Sequence, residues 1–150
     1  MIDSDGYRAN VGIVITNDKK QILLAKRFKQ DAWQLPQGGI DKDETEIDAL
    51  YRELEEEVGL YPAHVKLIAK TPKWLRYDLP LEHIRRSQKP TCIGQKQVWF
   101  LLKLKSSDDN ISLNLHHDKG RPPLQAPCRE HLFRFHLYRF HPEEVATRLV

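Results

Sequence analysis

The most informative part of this 150-residue chain runs from residue 38 to residue 60 and reads GGIDKDETEIDALYRELEEEVGL. Apolar side chains recur within it at steps of three and four residues, which places them on one face of an α-helix. They are Ile47, Leu50, Leu54 and Val58. We predict an amphipathic helix from about Thr45 to Val58, ended by Gly59, because glycine readily adopts the left-handed backbone that closes a helix. Residues 33–43, which contain a proline and two glycines, are expected to form a structured loop.

The same helix concentrates acidic side chains. Glu53, Glu56 and Glu57 stand at positions i, i+3 and i+4, so their carboxylates converge. Like charges this close repel one another unless hard cations neutralise them, and carboxylate oxygens are the ligands that Mg²⁺ prefers. Arg52 lies among these acids, and its guanidinium can hold carboxylates in a fixed orientation. The pattern predicts a divalent-metal site, while a solvated charged stripe is the alternative that the helix alone leaves open.

The charge of the chain is unevenly distributed. Residues 41–57 hold nine carboxylates and two cations, whereas the whole chain holds 21 acids and 24 bases. The rest of the chain is therefore strongly basic although the net charge is only +3. A negative patch set in a basic body suits a cation site whose surroundings attract a polyanion.

Composition also limits the class of protein. The length is that of one ordinary domain, which is large enough to bury a core. The two cysteines, Cys92 and Cys128, have neither the spacing of a zinc site nor the number of a disulfide framework. The start of the chain lacks the pattern of a signal peptide, and no stretch approaches the roughly 18 to 20 apolar residues of a membrane span. We expect a soluble, cytoplasmic protein that does not associate with membranes.

The rest of the chain reads mainly as strands. Val and Ile are frequent in residues 7–16, turn residues follow at 17–20, and apolar residues return at 21–27, which predicts a hairpin. Further strand patterns occur at 64–69, 98–105, 111–115 and 132–140, and a helix start at Pro142. Strands combined with one strongly marked helix indicate an α/β domain, in which a mixed sheet is sandwiched by helices.

The spacing of the acidic segment resembles a known motif. It meets every fixed position of the Nudix box, G-x5-E-x7-R-E-U-x-E-E-x-G-U, in which U is apolar. The matching residues are Gly38, Glu44, Arg52, Glu53, Leu54, Glu56, Glu57, Gly59 and Leu60. Segments 5–14, 32–39, 74–77 and 93–97 resemble in addition the bacterial RNA pyrophosphohydrolase subfamily of Nudix hydrolases and its plant-type dinucleoside polyphosphate relatives.

This resemblance implies a fold and a reaction. The fold would be the Nudix-type mixed sheet with helices. The reaction would be the Mg²⁺- or Mn²⁺-dependent conversion of 5′-triphosphate RNA ends to 5′-monophosphate, which promotes mRNA decay. Glu53, Glu56 and Glu57 would bind the metal, and Arg52 would orient them. Six residues in or near the matching segments are candidates for binding the RNA 5′ end: Arg8, Lys26, Arg27, Arg76, Gln95 and Lys96. We expect the protein to be a monomer.

The resemblance covers residues 1–115, whereas residues 116–150 depart from the family pattern and are interpreted as an atypical, truncated part of the same domain. A later strand of the family carries a further metal-binding glutamate that has no obvious counterpart here. Glu130 is the candidate to replace it. Two other functions stay open: hydrolysis of dinucleoside polyphosphates such as Ap4A, and binding of RNA or nucleotides without catalysis. Of the tryptophans, Trp99 is expected to lie in the core because Val98 and Phe100 flank it.

Overall fold

The helix that the apolar spacing predicts is present in a computed structural model of the chain as α1, Glu46–Val58. The hydroxyl of Thr45 accepts a hydrogen bond from the backbone N–H of Asp48, and the Asp48 side chain accepts one from the N–H of Thr45. This capping box satisfies amide groups that the first turn leaves without helical partners. Gly59 ends the helix with a left-handed backbone, φ 66°. The structure describes residues 2–26, 33–85, 87, 89–112 and 134–139, with the backbone alone for 25, 26 and 134–139.

A mixed sheet forms the other layer of the described structure. Its strands are β1 Tyr7–Thr16, β2 Gln21–Lys26, β3 Trp33–Gln34, β4 Gln37–Gly39, β5 Val65–Lys70, β6 Leu75–Asp78, β7 Gly94–Leu104 and β8 Arg134–Arg139. The order is β3-β2-β1-β7-β5, with β4 also paired to β1, β6 to β7 and β8 to β2. β1 and β7 run parallel over their shared length, from Tyr7 opposite Gly94 to Thr16 opposite Lys103, whereas the other pairs are antiparallel. Short 3₁₀ helices lie at Pro62–His64, Leu81–His83 and Asp108–Asn110.

The hydrophobic core lies between α1 and one face of β1 and β7. Side chains alternate between the two faces of a strand, so every second residue of these strands contributes to the core. The buried apolar residues are Val11, Ile13 and Ile15 from β1, Val98, Phe100, Leu102 and Leu104 from β7, and Ala49, Leu50, Leu54 and Val58 from α1. The helix is therefore held with its acidic residues beside β4, which pairs with β1.

Most of the predicted elements are confirmed. β1 has the predicted limits, β1 and β2 form the predicted antiparallel pair, and the α/β class with a mixed sheet is correct. Ile47 is an exception, since it is 39% exposed and does not join the buried stripe. The strand predicted for 111–115 does not begin at 111 or 112, which lie outside any strand, and the rest of that segment lies outside the described residues. The helix predicted from Pro142 lies outside them as well.

Candidate metal centre

Gly38 brings β4 against the acidic face of α1. A Cβ atom placed on Gly38 would lie 1.8 Å from the carboxyl carbon of Glu53, a distance that no pair of unbonded atoms tolerates. Glu53 is only 6% exposed in that position. The glycine that opens the Nudix box therefore makes room for the first of the three helix glutamates.

Arg52 is the centre of the hydrogen-bond network around these acids. Its Nε donates to Glu44 at 2.7 Å, and its Nη1 donates to Glu53 at 2.6 Å and to Glu56 at 3.3 Å. Its Nη2 donates to Glu44 at 2.9 Å and to the carbonyl of Gly39 at 2.7 Å. The hydrogen bonds to Glu44, together with the charge of Glu53, raise the pKa of the Arg52 guanidinium above its ordinary value. Arg52 thus stays charged and fixes the orientation of the surrounding carboxylates.

Glu57 is attached to β4 by a separate contact. The backbone N–H of Gln37 donates to Oε2 of Glu57 at 2.9 Å. The box glutamates are consequently held from two sides, by Arg52 and by the backbone of β4. Both contacts bring carboxylate oxygens to the outer edge of this short strand.

The donors at this edge suit a hard divalent cation in their chemistry. The four box carboxylates outnumber the guanidinium of Arg52, which donates to three of them, and all their donor atoms are oxygens, which Mg²⁺ and Mn²⁺ prefer. Within the described ranges, however, no three acidic, histidine or cysteine side chains are already gathered around one point that an ion could occupy. Glu53 and Glu56 both bond to Arg52, so enclosing an ion requires rotation of side chains in this cluster.

The residues proposed for the RNA side are not gathered in one place. The guanidinium of Arg8 lies against Gly39, because a Cβ on Gly39 would come within 2.9 Å of Arg8 Nη2. Gln95 accepts a hydrogen bond from Asn10 at 2.8 Å. Arg8 and Gln95 are paired in register, and both alternate with the core residues of their strands, so both lie on the face of the sheet opposite α1.

Arg76 and Lys96 have acidic partners in the N-terminal turn. Arg76 bonds to Asp5 at 3.1 Å and lies over the ring of Tyr7, 4.9 Å from its centre. Lys96 bonds to Asp3 at 2.8 Å and lies 5.1 Å from the centre of the Trp74 ring. Both cations are thus engaged within the protein. Three further candidates lie outside the described part of the chain: the side chain of Lys26 and the whole of Arg27 and Glu130. Their roles stay predictions.

Two features of the site were not foreseen from the sequence. Gln97 is a buried amide, 8% exposed, that donates to the side chain of Gln37 at 2.8 Å. The expectation that Trp99 lies in the core is wrong: it is half-buried, and its ring lies against Gly12. Strand alternation explains this, because Val98 and Phe100 point toward α1 and Trp99 therefore points to the other face. The sequence of β7 marks this face poorly, because Trp99 and Leu101, which lie on it, are as apolar as the core residues between them.

Comparison with protein families gives a match over most of the described domain. The model for the NUDIX domain matches residues 6–120, which is more than half of the chain. The chain belongs to the Nudix family. Hydrolases of this family generally depend on divalent cations, which agrees with the oxygen donors of the acidic cluster.

Curated Nudix relatives are similar over three quarters of the chain. An RNA pyrophosphohydrolase of Ruthia magnifica subsp. Calyptogena magnifica is 72% identical over 116 residues, which cover 77% of this chain and 65% of that protein. An RNA pyrophosphohydrolase of Psychrobacter sp. (strain PRwf-1) is 58% identical over 122 residues, which cover 81% and 69%. The chain thus matches about two thirds of the length of these relatives.

Solved Nudix structures show the same fold at low sequence identity. The E. coli dihydroneopterin triphosphate pyrophosphohydrolase has a TM-score of 0.63 and 23% identity, covering 87% of this chain and 81% of its own. A C. elegans Ap4A hydrolase has a TM-score of 0.52 and 20% identity, covering 71% and 74%. The described residues contain no helix that is long and apolar enough to cross a membrane.

Proposed function

We propose that this Nudix protein is a divalent-metal-dependent RNA pyrophosphohydrolase that converts 5′-triphosphate RNA ends to 5′-monophosphate and so promotes mRNA decay. The observation that carries the proposal is the 72% identity over 116 residues to a relative named RNA pyrophosphohydrolase. The complete Nudix box supports it, because a member that only bound nucleotides would have no need of its four glutamates and arginine.

Glu53, Glu56 and Glu57 are the proposed ligands of Mg²⁺ or Mn²⁺. A bound cation supplies Lewis acidity at the phosphoryl group and shields negative charge in the transition state. Arg52 keeps the carboxylates oriented through its contacts with Glu44 and Glu53. Gln37 holds Glu57 at the edge of β4. These residues thus contribute by positioning the metal ligands and by their charge. Positioning and electrostatic stabilisation are the main contributions of a protein to phosphoryl transfer.

Arg8 and Gln95 are the substrate candidates that the structure supports best, because Arg8 lies beside Gly39 and both follow one face of the sheet. A guanidinium can bind phosphate oxygens through two parallel hydrogen bonds. Arg76 and Lys96 can contribute only by exchanging Asp5 and Asp3 for the phosphates of RNA. Lys26 and Arg27 remain in the proposal on their sequence alone.

The experiment that tests the proposal compares substrates on the purified chain. Triphosphorylated RNA, Ap4A and ATP are each incubated with Mg²⁺ and, separately, with excess EDTA, and initial rates are measured. The proposal expects RNA to be converted fastest, in a reaction that EDTA stops and added Mg²⁺ or Mn²⁺ restores. Faster turnover of Ap4A than of RNA would instead assign dinucleoside polyphosphates as the substrate, and RNA binding without turnover would indicate a non-catalytic module.

A further inference from the structure

Strand β4 contacts the metal-binding helix through its outer edge. Toward β1, the carbonyl of Pro36 accepts from Ile13 N at 2.9 Å and Ile40 N donates to Ala9 O at 3.0 Å. Hydrogen-bonding groups alternate between the two edges of an antiparallel strand, so the groups of Gln37 and Gly39 point away from β1. They meet α1 there: Gln37 N–H donates to Glu57, and Gly39 C=O accepts from Arg52.

The side chain of Gln37 is held from the opposite direction. Its Oε1 accepts from Nε2 of Gln97 at 2.8 Å, although β4 and β7 are separated by β1. Two strand spacings amount to about 10 Å, which two extended glutamine side chains can bridge only where the strand between them leaves room. Gly12 of β1 is in register with both Gln37 and Trp99 and has no side chain that would stand between the two glutamines. The ring of Trp99 takes the space beside this glycine, since a Cβ on Gly12 would lie 2.4 Å from it.

The bridge between the two amides fixes the side chain of Gln37, whose backbone is held by the pairing of β4 with β1. β4 is three residues long, and Pro36 before it has no N–H to donate to the sheet. The amide of Gln97 is nearly fully buried and therefore has few alternative partners. It restrains the peptide of Gln37, whose N–H in turn restrains Glu57.

We infer that Gln97 is a positioning residue for metal binding, which acts through Gln37 on Glu57. The inference rests on the proposed function, because it requires Glu57 to be a metal ligand. Groups that orient metal ligands without touching the ion typically change metal affinity by roughly 10- to 100-fold. If Gln97 only stabilised the sheet, replacing it would lower the midpoint of unfolding and leave metal affinity unchanged.

The test measures the dissociation constant of Mn²⁺ by electron paramagnetic resonance on the full chain without substrate. Gln97→Met keeps the length of the side chain but removes the amide, and we expect about tenfold weaker Mn²⁺ binding. Thr71→Val is the matched control. Thr71 Oγ1 accepts a hydrogen bond at 3.0 Å from the backbone N–H of Trp99, which lies on β7 like Gln97. Among the described hydrogen bonds, Thr71 makes none to β4. This variant should lower the midpoint of unfolding and keep the affinity for Mn²⁺.

A second variant tests the route through Gln37. Gln37→Met retains the backbone N–H that binds Glu57, yet it should weaken Mn²⁺ binding as much as Gln97→Met does, and it decides the question if Gln97→Met does not fold. The double variant should lose no more affinity than either single one, since both remove one contact. If both single variants bind Mn²⁺ like the wild type while Glu57→Gln loses affinity, the positioning role of Gln97 is overturned and the metal site is retained. Wild-type affinity in Glu57→Gln would remove the metal site as proposed and the inference with it.

Discussion

Gly38 and Glu53 illustrate how a single residue limits the site. Ala in place of Gly38 puts a Cβ into the space of the Glu53 carboxyl group, and the backbone of β4 cannot retreat without losing its pairing with β1. We expect Gly38→Ala to weaken Mn²⁺ binding at least about tenfold, because it displaces a ligand that the wild type holds in place. Gly39→Ala is the comparison, since its Cβ would meet only the mobile end of Arg8. Equal Mn²⁺ affinities of Gly38→Ala and wild type, measured by titration, would contradict this account.

The three helix glutamates carry the most direct prediction at this scale. Glu53→Gln, Glu56→Gln and Glu57→Gln each remove a charge at nearly constant volume. We expect each to reduce kcat on triphosphorylated RNA at least about a hundredfold, since even residues that merely orient a ligand account for roughly 10- to 100-fold. Circular dichroism should show an unchanged fold. Glu55→Gln, on the same helix but outside the box positions, is the control and should retain activity. Wild-type rates of all three variants in saturating Mg²⁺ would end the assignment.

Secondary-structure elements with a local signal were predictable. β1 has the predicted limits, and α1 begins one residue after Thr45, which is its cap. Strands as short as β3 and β4 have too few residues to show a period, and the parallel pairing of β1 with β7 joins segments from opposite halves of the described domain. The box residues could therefore be assigned from sequence. The hydrogen bond between the side chains of Gln37 and Gln97 could not be predicted, because it depends on the pairing of β1 with β7.

The capping box gives a prediction that separates folding from chemistry. Thr45→Ala removes the hydroxyl that accepts from Asp48 N, and such losses lower the free energy of unfolding by about 1 kcal/mol. Thr45→Ser keeps an equivalent hydroxyl and should be close to wild type in urea unfolding. Mn²⁺ affinity should be the same in both variants, because Thr45 lies at the other end of the helix from Glu57. A loss of affinity in Thr45→Ala alone would show that the cap also shapes the site.

The N-terminal turn is an element whose stability should depend on pH. The hydrogen bond with Lys96, together with that from the Tyr7 N–H, lowers the pKa of Asp3 from its ordinary 3.8 to about 2. A lowered pKa in the folded state means that the contribution of Asp3 is complete above about pH 4 and is lost as the pH falls to about 2. Asp3→Asn should thus lower the free energy of unfolding at pH 7, and the difference from wild type should shrink toward pH 2. Urea unfolding at both pH values measures it, and a deficit of equal size at both would contradict the ionic origin.

The whole molecule combines nine carboxylates within residues 41–57 with a net charge of +3, so the rest of the chain is basic. RNA offers these basic residues phosphates beyond the reacting triphosphate, whereas ATP offers the triphosphate alone. Proteins that neutralise single-stranded phosphates lose affinity with salt according to the number of contacts. With about three such contacts, KM for triphosphorylated RNA should rise roughly 10- to 20-fold between about 50 and 200 mM salt.

The comparison with ATP makes this prediction specific to RNA. Metal binding and transfer of the phosphoryl group are shared by the two substrates, so a general effect of salt on the acidic cluster would change both to the same degree. The enzyme should prefer RNA over ATP at low salt. The ratio of the two values of kcat/KM should fall as salt rises, because the two substrates differ only in the contacts beyond the triphosphate. Steady-state kinetics of both substrates across the salt series provides the measurement. Equal turnover of ATP and RNA, with neither affected by salt, would mean that the basic residues outside 41–57 do not bind the RNA chain.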